Sequence, residues 1–319
     1  MAKQKQIDLR GIKTISMATR KSKVNRGELA KVFTPSGTFA DFTESLPHIL
    51  VAEDLRMFAE TVAKARKAGK PVIVMMGAHV IKVGLAPLIV DMMERGLVTG
   101  VAMNSAAAIH DVEMAMWGKT SEDVEENIQD GTFGMSRETG EFINGTLNSA
   151  VKTGDAGYGE ALGAALSKAK NRDISILAAG YRLGLPVTIH AAIGTDIIHQ
   201  QPTMDGGATG EMSFRDFKVF CNSLTKLKRG GVVMNIGSAV ILPEVFLKAV
   251  TVVRNLGYDA RGFITANFDM VQHYRPRVNV VQRPTKGVGV GSGKGYMFTG
   301  HHEIMVPLLF AMIKGKMKP

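Results

Sequence analysis

Two short apolar runs joined by one amphipathic helix constrain the fold of this chain most. The runs are 71–76 and 98–103, and about two dozen residues separate them. Such a connection is typical of a right-handed βαβ unit, whose parallel strands end at the same edge of a sheet. Strands and helices then keep alternating along the chain. The pattern predicts an α/β fold, a Rossmann-like, doubly wound and mainly parallel sheet with helices on both faces.

The later elements extend this pattern and divide the chain. Further strands are predicted at 186–190, 231–236, 262–267 and 277–281, and a final strand or loop is predicted at 296–298. Between the second and third strands, a helical insertion runs from about 119 to 184. We expect two parts, a basic N-terminal arm over 1–26 and a single domain over 27–319 that contains this insertion.

Composition narrows the class of protein. The chain has 319 residues and 45% hydrophobic content, enough for a large core. No run approaches the ~18 apolar residues of a membrane span, and the N-terminus lacks the apolar core of a signal peptide. The single cysteine, Cys221, cannot form an internal disulfide. These features predict a soluble, cytoplasmic protein with no membrane partner.

The formal net charge of +10 raises the question of nucleic acid. Much of the excess lies in the first 26 residues, and no helix-turn-helix, zinc-finger or RNA-binding signature accompanies it. We therefore expect no nucleic-acid partner. A basic body also suits an anionic cofactor and an anionic substrate.

Small residues follow the first two strands, at Gly77-Ala78-His79 and at Asn104-Ser105-Ala106. Small side chains let a ligand approach the backbone, and helix N-terminal N–H groups can hold an anion. One such turn is more often simple tight packing. Two turns on successive strand ends favour a nucleotide site.

The glycine-rich run 287–295 does not complete a known phosphate motif. Val288 stands where a phosphate loop has glycine, and Gly295 stands where it has serine or threonine after Lys294. No Gly-x-Gly-x-x-Gly occurs there. An active-site lid or an interface loop accounts better for these glycines.

Several histidines stand beside acids, as in His110-Asp111 and His301-His302-Glu303. None of the histidine pairs has His-x-x-x-His spacing, so a metal site would have to be assembled from different strand ends. We therefore expect no metal, with a metal-dependent hydrolase as the alternative. The histidines then serve as acid, base or ribose partners.

The order of motifs resembles the deoxyhypusine synthase family, including homospermidine synthases, over roughly 77–310. The matching segments are the turn 77–84, the segment 105–111, the loop 194–196, the segment 264–267 and the closing segment 300–309. The resemblance implies bound NAD and a homotetramer with sites at subunit contacts. It adds Asp196, Thr265, Ala266 and His301 to the expected cofactor contacts.

Two departures from that family bear on the reaction. The family's catalytic lysine falls on Met297, whose thioether cannot form an imine. An aminobutyl transferase would need Lys294 or Lys82 in its place. The family's acidic polyamine pocket is replaced by a stretch that contains Arg275 and Arg277.

The expected protein is therefore an NAD-dependent enzyme that does not make deoxyhypusine. We expect hydride transfer on a hydroxyl- or amine-bearing, anionic small substrate. The predicted acid and base groups are Asp196, His199 and His273. Arg275, Arg277 and Lys294 are predicted to bind the substrate's anionic group; surface or interface positions are the alternative for the arginines.

Overall fold

The computed structural model describes residues 4–286 and 292–317 and divides into two compact units, Met1–Glu53 and Asp54–Pro319. The first unit contains a 3-10 turn, Arg26–Glu28, and helix α1, Phe39–Ser45. Thr38 caps α1 reciprocally: its hydroxyl accepts from the Asp41 N–H at 3.2 Å, and Asp41 accepts from the Thr38 N–H at 2.8 Å.

The second unit is built on six parallel strands. They are β1 Val72–Met76, β2 Gly100–Asn104, β3 Val187–His190, β4 Val232–Ile236, β5 Ile264–Asp269 and β6 Lys294–Thr299. Their order in the sheet is β3-β2-β1-β4-β5-β6. This is the Rossmann order, and it confirms the predicted doubly wound parallel sheet. The strand order reverses between β1 and β4, which defines the switch point of the fold.

The remaining helices surround the sheet and connect its strands. They are α2 Leu50–Lys67, α3 His79–Lys82, α4 Ala86–Glu94, α5 Ser105–Trp117, α6 Val124–Asp130, α7 Arg137–Thr153, α8 Tyr158–Ala165, α9 Ile176–Leu183, α10 Gly206–Leu224, α11 Ile241–Asn255 and α12 His302–Lys316. Short 3-10 turns lie at Leu166–Lys168, Arg172–Ile174 and Ile197–Gln200, and a wide π-type helix spans Pro276–Gln282. None of the described helices is both long and apolar enough to cross a membrane.

Both faces of the sheet are covered, which explains why its strands are apolar along their whole length. On β1, Val72, Val74 and Met76 join the larger core, to which α2, α4, α5, α9 and α12 contribute. Ile73 and Met75 point to the other face, where α10 and α11 pack. The predicted strand run therefore lacks the polar alternation of a half-exposed strand.

The helical insertion is attached to α5 by a buried carboxylate. Asp111 on α5 is 1% exposed and accepts hydrogen bonds from the Ser175 hydroxyl at 2.6 Å and from the Ile176 and Leu177 N–H groups at 2.9 and 3.1 Å. The two N–H groups lie in the first turn of α9, where backbone N–H groups have no acceptor within the helix. Burial raises the pKa of Asp111 to about 6. Asp111 therefore has a structural role in joining α5 to α9, although it stands next to His110 in the sequence.

Helix α10 begins earlier than its sequence suggests, and it contains a second buried carboxylate, Asp216. In the sequence, the segment 213–216 reads Ser-Phe-Arg-Asp and predicts a helix start at Ser213, with Asp216 in the first turn. The helix instead begins at Gly206, where Asp205 accepts from the Ala208 N–H at 3.0 Å. Asp216 lies inside it and accepts from the Ile189 and Gly159 N–H groups at 2.6 and 2.9 Å. The two glycines after Asp205 are typical of a turn, but here they form the first residues of a helix that Asp205 caps.

Two further segments differ from, or extend beyond, the sequence expectations. The strand predicted at 277–281 is part of the helix Pro276–Gln282, whose apolar residues face the core. Of the glycine-rich run, 287–291 lie outside the described residues. On its flanks, the Gly293 N–H donates to the Thr285 carbonyl at 2.8 Å, immediately before β6 begins.

Candidate functional site

A cleft of about 790 Å³ opens at the carboxyl ends of β2 and β3. Its walls are α5, the loop before Ile197–Gln200, and the part of the helical insertion around α6. This volume falls within the roughly 300–1,000 Å³ of small-molecule and cofactor sites. The lining residues used below are Lys82, Ala106, His110, Glu113, Thr120 and Asp196.

Ser105 and Asp196 meet at the floor of this cleft. The Ser105 hydroxyl, at the first position of α5, donates to Asp196 Oδ2. Burial raises the pKa of Asp196, while the Ser105 hydrogen bond acts in the opposite direction. The structure therefore brings together one predicted cofactor contact and one predicted acid/base group, from the ends of two neighbouring strands.

His199 lies beside Asp196, but its orientation is set by backbone groups. Its Nδ1 accepts from the Asp196 and Gly194 N–H groups at 3.1 and 3.2 Å, so the ring hydrogen is on Nε2. The side chain is 3% exposed, and Nε2 has no partner among the described residues. Burial lowers the pKa of His199. Its contacts shape the Asp196 loop.

His110 has the most developed hydrogen-bond network in the cleft. Its Nδ1 lies 2.6 Å from Thr120 Oγ1, and the Thr120 hydroxyl donates to Glu113 Oε2. The other carboxylate oxygen accepts from the Thr139 hydroxyl at 3.0 Å. Because the Thr120 hydrogen is committed to Glu113, Nδ1 of His110 must carry the ring hydrogen. Nε2 therefore keeps its lone pair.

Burial, and secondarily the positive charge of Lys82, lower the pKa of His110 to about 4. We expect an NMR titration to find the His110 ring neutral down to about that pH. Lys82→Met should raise this pKa, whereas Lys119→Met, which changes another cleft lysine, should leave it in place. A midpoint for His110 near the ordinary histidine value of about 6.5 would contradict the assignment.

The sequence analysis included His110 only among the histidines expected as acid, base or ribose partners, and it did not single out Glu113. The available signal was their spacing of three residues on α5, which places both on one helix face. The adjacent Asp111 drew attention to a metal pair instead. The described residues contain no group of three or more His, Cys, Asp and Glu side chains that could hold a metal ion.

The predicted cofactor turn at Gly77 lies at the switch point, outside the cleft lining. A Cβ on Gly77 would lie 2.3 Å from the Gly237 carbonyl oxygen, because the turns after β1 and β4 are in contact. Gly237 in turn faces the His302 ring, which packs edge-on against His79 with centroids 5.6 Å apart. The small residues here allow two protein turns to approach each other. Ala78 lies in the same turn.

The other predicted cofactor contacts are dispersed. Thr265 and Ala266 lie inside β5 and are fully buried, so neither is at the carboxyl edge. His301 precedes α12 and is 64% exposed. Asn104 ends β2, where its side chain accepts from the Ala107 N–H at 3.1 Å and caps α5.

The predicted anion clamp follows β5, on the other side of the switch point. Arg275 Nε lies 3.3 Å from Glu244, and Arg277 lies over the Tyr274 ring. His273 is exposed in the same loop. Four strand spacings separate β3 from β5, or about 19 Å at 4.8 Å per spacing. Sheet order therefore separates these residues from Asp196 and His199 within one chain.

Lys294 lies at the amino end of β6, at the opposite edge of the sheet from the cleft. Its ammonium is 4.3 Å from the centroid of the Tyr296 ring and 3.6 Å from Asp54. Met297, at the family's lysine position, is 44% exposed on the same edge strand and pairs with Asn267.

Hydrogen-bond donors that could bind an anionic dinucleotide lie at one place in the cleft, the start of α5. Ala106 is in the first turn of α5, where backbone N–H groups have no intrahelical acceptor, and the Lys82 side chain lines the same cleft. The Gly77 turn does not offer an open glycine surface for a pyrophosphate. A cofactor would thus be held by α5 and Lys82, over the β2 side of the switch point.

These features define the class of the protein: a doubly wound Rossmann fold with a cleft at the carboxyl edge of its sheet. No protein-family profile and no curated protein sequence matches the chain. Its fold resembles that of an Entamoeba histolytica protein provisionally assigned as a deoxyhypusine synthase, with TM-score 0.53, 9% identity, and 91% and 97% of the two chains covered.

Two larger proteins share the fold as well. One is AgrE, solved in a ternary complex with ornithine and NAD+, with TM-score 0.51 and 15% identity over 82% of this chain. The other is ArgZ, a cyanobacterial arginine dihydrolase, with TM-score 0.50 and 17% identity over 84% of this chain. The chain spans about a third of their length, 33% in each case. At these identities the similarity establishes the fold.

Proposed function

We propose that this chain is an NAD-dependent oxidoreductase that acts on a hydroxyl- or amine-bearing small molecule, with the cleft beside α5 as its active site. The observation that carries the proposal is the Glu113–Thr120–His110 hydrogen-bond chain. It leaves a neutral imidazole with a free lone pair on Nε2 beside a site for an anionic cofactor. The shared fold with NAD-bound AgrE supports the choice of cofactor.

NAD would supply the acceptor for a hydride from the substrate carbon. His110 Nε2 takes the proton from the substrate's hydroxyl or amine as that bond to hydrogen is broken. A base with a pKa of about 4 is weak. It suits a proton that becomes strongly acidic as the carbonyl forms, as the proton of an alcohol does. Asp196, held by Ser105, orients the substrate's polar group at the cleft floor.

The charges of the cleft bear on the substrate. Four carboxylates and two lysines line it, namely Glu113, Glu122, Glu138 and Asp196 with Lys82 and Lys119. This balance favours a substrate with a cationic group, unless Arg275 and Arg277 of another subunit of the predicted homotetramer complete the site. The predicted anionic substrate therefore depends on assembly. The aminobutyl transferase and the metal-dependent hydrolase stay alternatives.

The proposal is tested by thermal unfolding with and without NAD+ and NADH. Any ligand that prefers the native state raises its melting temperature. Lys82→Met should weaken NAD binding about tenfold, through loss of one charge-assisted contact to phosphate. Lys152→Met, on the exposed side of α7, should leave binding unchanged. Absence of any shift with either nucleotide would exclude the cofactor assignment.

A further inference from the structure

One threonine connects the candidate base to a separate, weakly anchored part of the cleft wall. Residues 118–136, which we name the cap segment, carry α6 and line the cleft through Thr120, Glu122 and Val124. None of the seven residues of α6 is buried. Val124 and Ile128 are 46% and 58% exposed. The cap segment thus has little apolar burial of its own to hold it in place.

The backbone of the cap segment reverses direction at left-handed residues near both ends. Gly118 and Ser121 have φ values of 69° and 65°, and Gly131 and Gly134 have values of 77° and 76°. At the far end, Gln200 and Gln201 donate to the Phe133 and Gly134 carbonyls at 2.6 and 2.7 Å. At the near end, the described side-chain attachment to α5 is made by Thr120.

We propose that Thr120 is a positioning residue, which fixes the tautomer of His110 only while the cap segment lies on the cleft. The inference rests on the proposed role of His110 as the base. With Thr120 in place, its hydroxyl hydrogen goes to Glu113, and its oxygen can only accept from His110 Nδ1. When the cap segment moves away, Nδ1 loses that acceptor, and either ring nitrogen can carry the hydrogen.

The consequence is that placing the cap segment over the cleft also fixes the tautomer in which His110 Nε2 can accept a proton. While the cap segment is displaced, the Nε2 lone pair is not uniquely available. Return of Thr120 to its position between His110 and Glu113 restores the Nδ1–H tautomer. Such coupling leaves the tautomer of His110 undefined while the cap segment is displaced, and defines it once the segment has returned.

Nitrogen NMR of the His110 ring in the ligand-free protein tests this inference. In the wild type, Nδ1 should show a protonated and Nε2 an unprotonated signal. Thr120→Val should move both signals toward averaged positions and raise amide exchange in the cap segment about five- to tenfold. Thr120→Ser should restore the wild-type ring signals, because serine keeps the hydroxyl.

Thr132→Val is the matched control. Thr132 lies in the cap segment and bonds Asp130 at 2.6 Å, without contact to His110, so its replacement should leave the ring signals unchanged. Faster exchange in Thr120→Val with unaltered His110 signals would show that Thr120 only anchors the segment, and would overturn the inference. So would failure of Thr120→Ser to restore them. Because no nucleotide is present, failure of NAD binding does not affect this result.

Discussion

Replacing His110 by glutamine should lower turnover by about 10²- to 10⁴-fold, the usual contribution of a positioned base. Glutamine is of similar size but offers an amide in place of the Nε2 lone pair. The rate is followed as formation of reduced nicotinamide, with the substrate that the wild-type protein oxidises in a panel of alcohols and amines. The loss should fall on kcat, with NAD affinity nearly unchanged, because Lys82 and α5 remain.

His48→Gln, in the first compact unit and outside the cleft lining, is the control for loss of a histidine as such. It should retain wild-type turnover. If His110→Gln kept turnover within about twofold of the wild type, the base would have to be another residue of the cleft, with Asp196 the next candidate.

Replacing Gly159 by alanine should destabilise the fold by about 3 kcal/mol or more. A Cβ there would lie 1.8 Å from the Val187 carbonyl oxygen, so α8 would have to move away from β3. The same movement would stretch the hydrogen bond from the Gly159 N–H to Asp216, 2.9 Å long in the structure. A urea unfolding curve should show the loss as a lower midpoint with a similar slope.

Gly145→Ala is the matched substitution with the opposite expected sign. Gly145 lies inside α7, and no atom outside its own helix lies within 4 Å of an added Cβ. Alanine there should therefore stabilise the protein by about 0.5–1 kcal/mol through helix propensity. Equal effects of the two substitutions would mean that contact with Val187 does not decide the stability of Gly159→Ala.

The prediction of the strands succeeded because their pattern is local. β1, β2, β3, β4 and β5 all lie within about two residues of the runs predicted for them. Each is a short apolar run bounded by glycine, proline or polar residues, which is the pattern of a strand buried on both faces. The apolar run at 277–281 has the same character but folds as a helix, because periodicity cannot separate short buried segments of either kind.

The candidate site was harder to predict, because its contacts join residues far apart in the chain. Ser105 reaches Asp196 across 91 residues, and Thr139 reaches Glu113 across 26. The common carboxyl edge of parallel strands accounts for the first contact, although the sequence did not pair these two residues. The second depends on how the helical insertion folds over α5, and no strand-end rule describes it. His110 consequently appeared only in a general group of candidate acid, base or metal-binding histidines.

The sequence by itself determined that buried parallel strands alternate with helices and that small and polar residues gather at the strand ends, because hydrophobic periodicity and turn residues act locally. Only the tertiary structure decided which strand ends are neighbours. The order β3-β2-β1-β4-β5-β6 brings Ser105 to Asp196 and leaves Arg275 and Arg277 on the far side of the switch point. It also closes Gly77 against Gly237. Strand order is set by packing of the whole core, since each crossover helix must cover the face left open by the others.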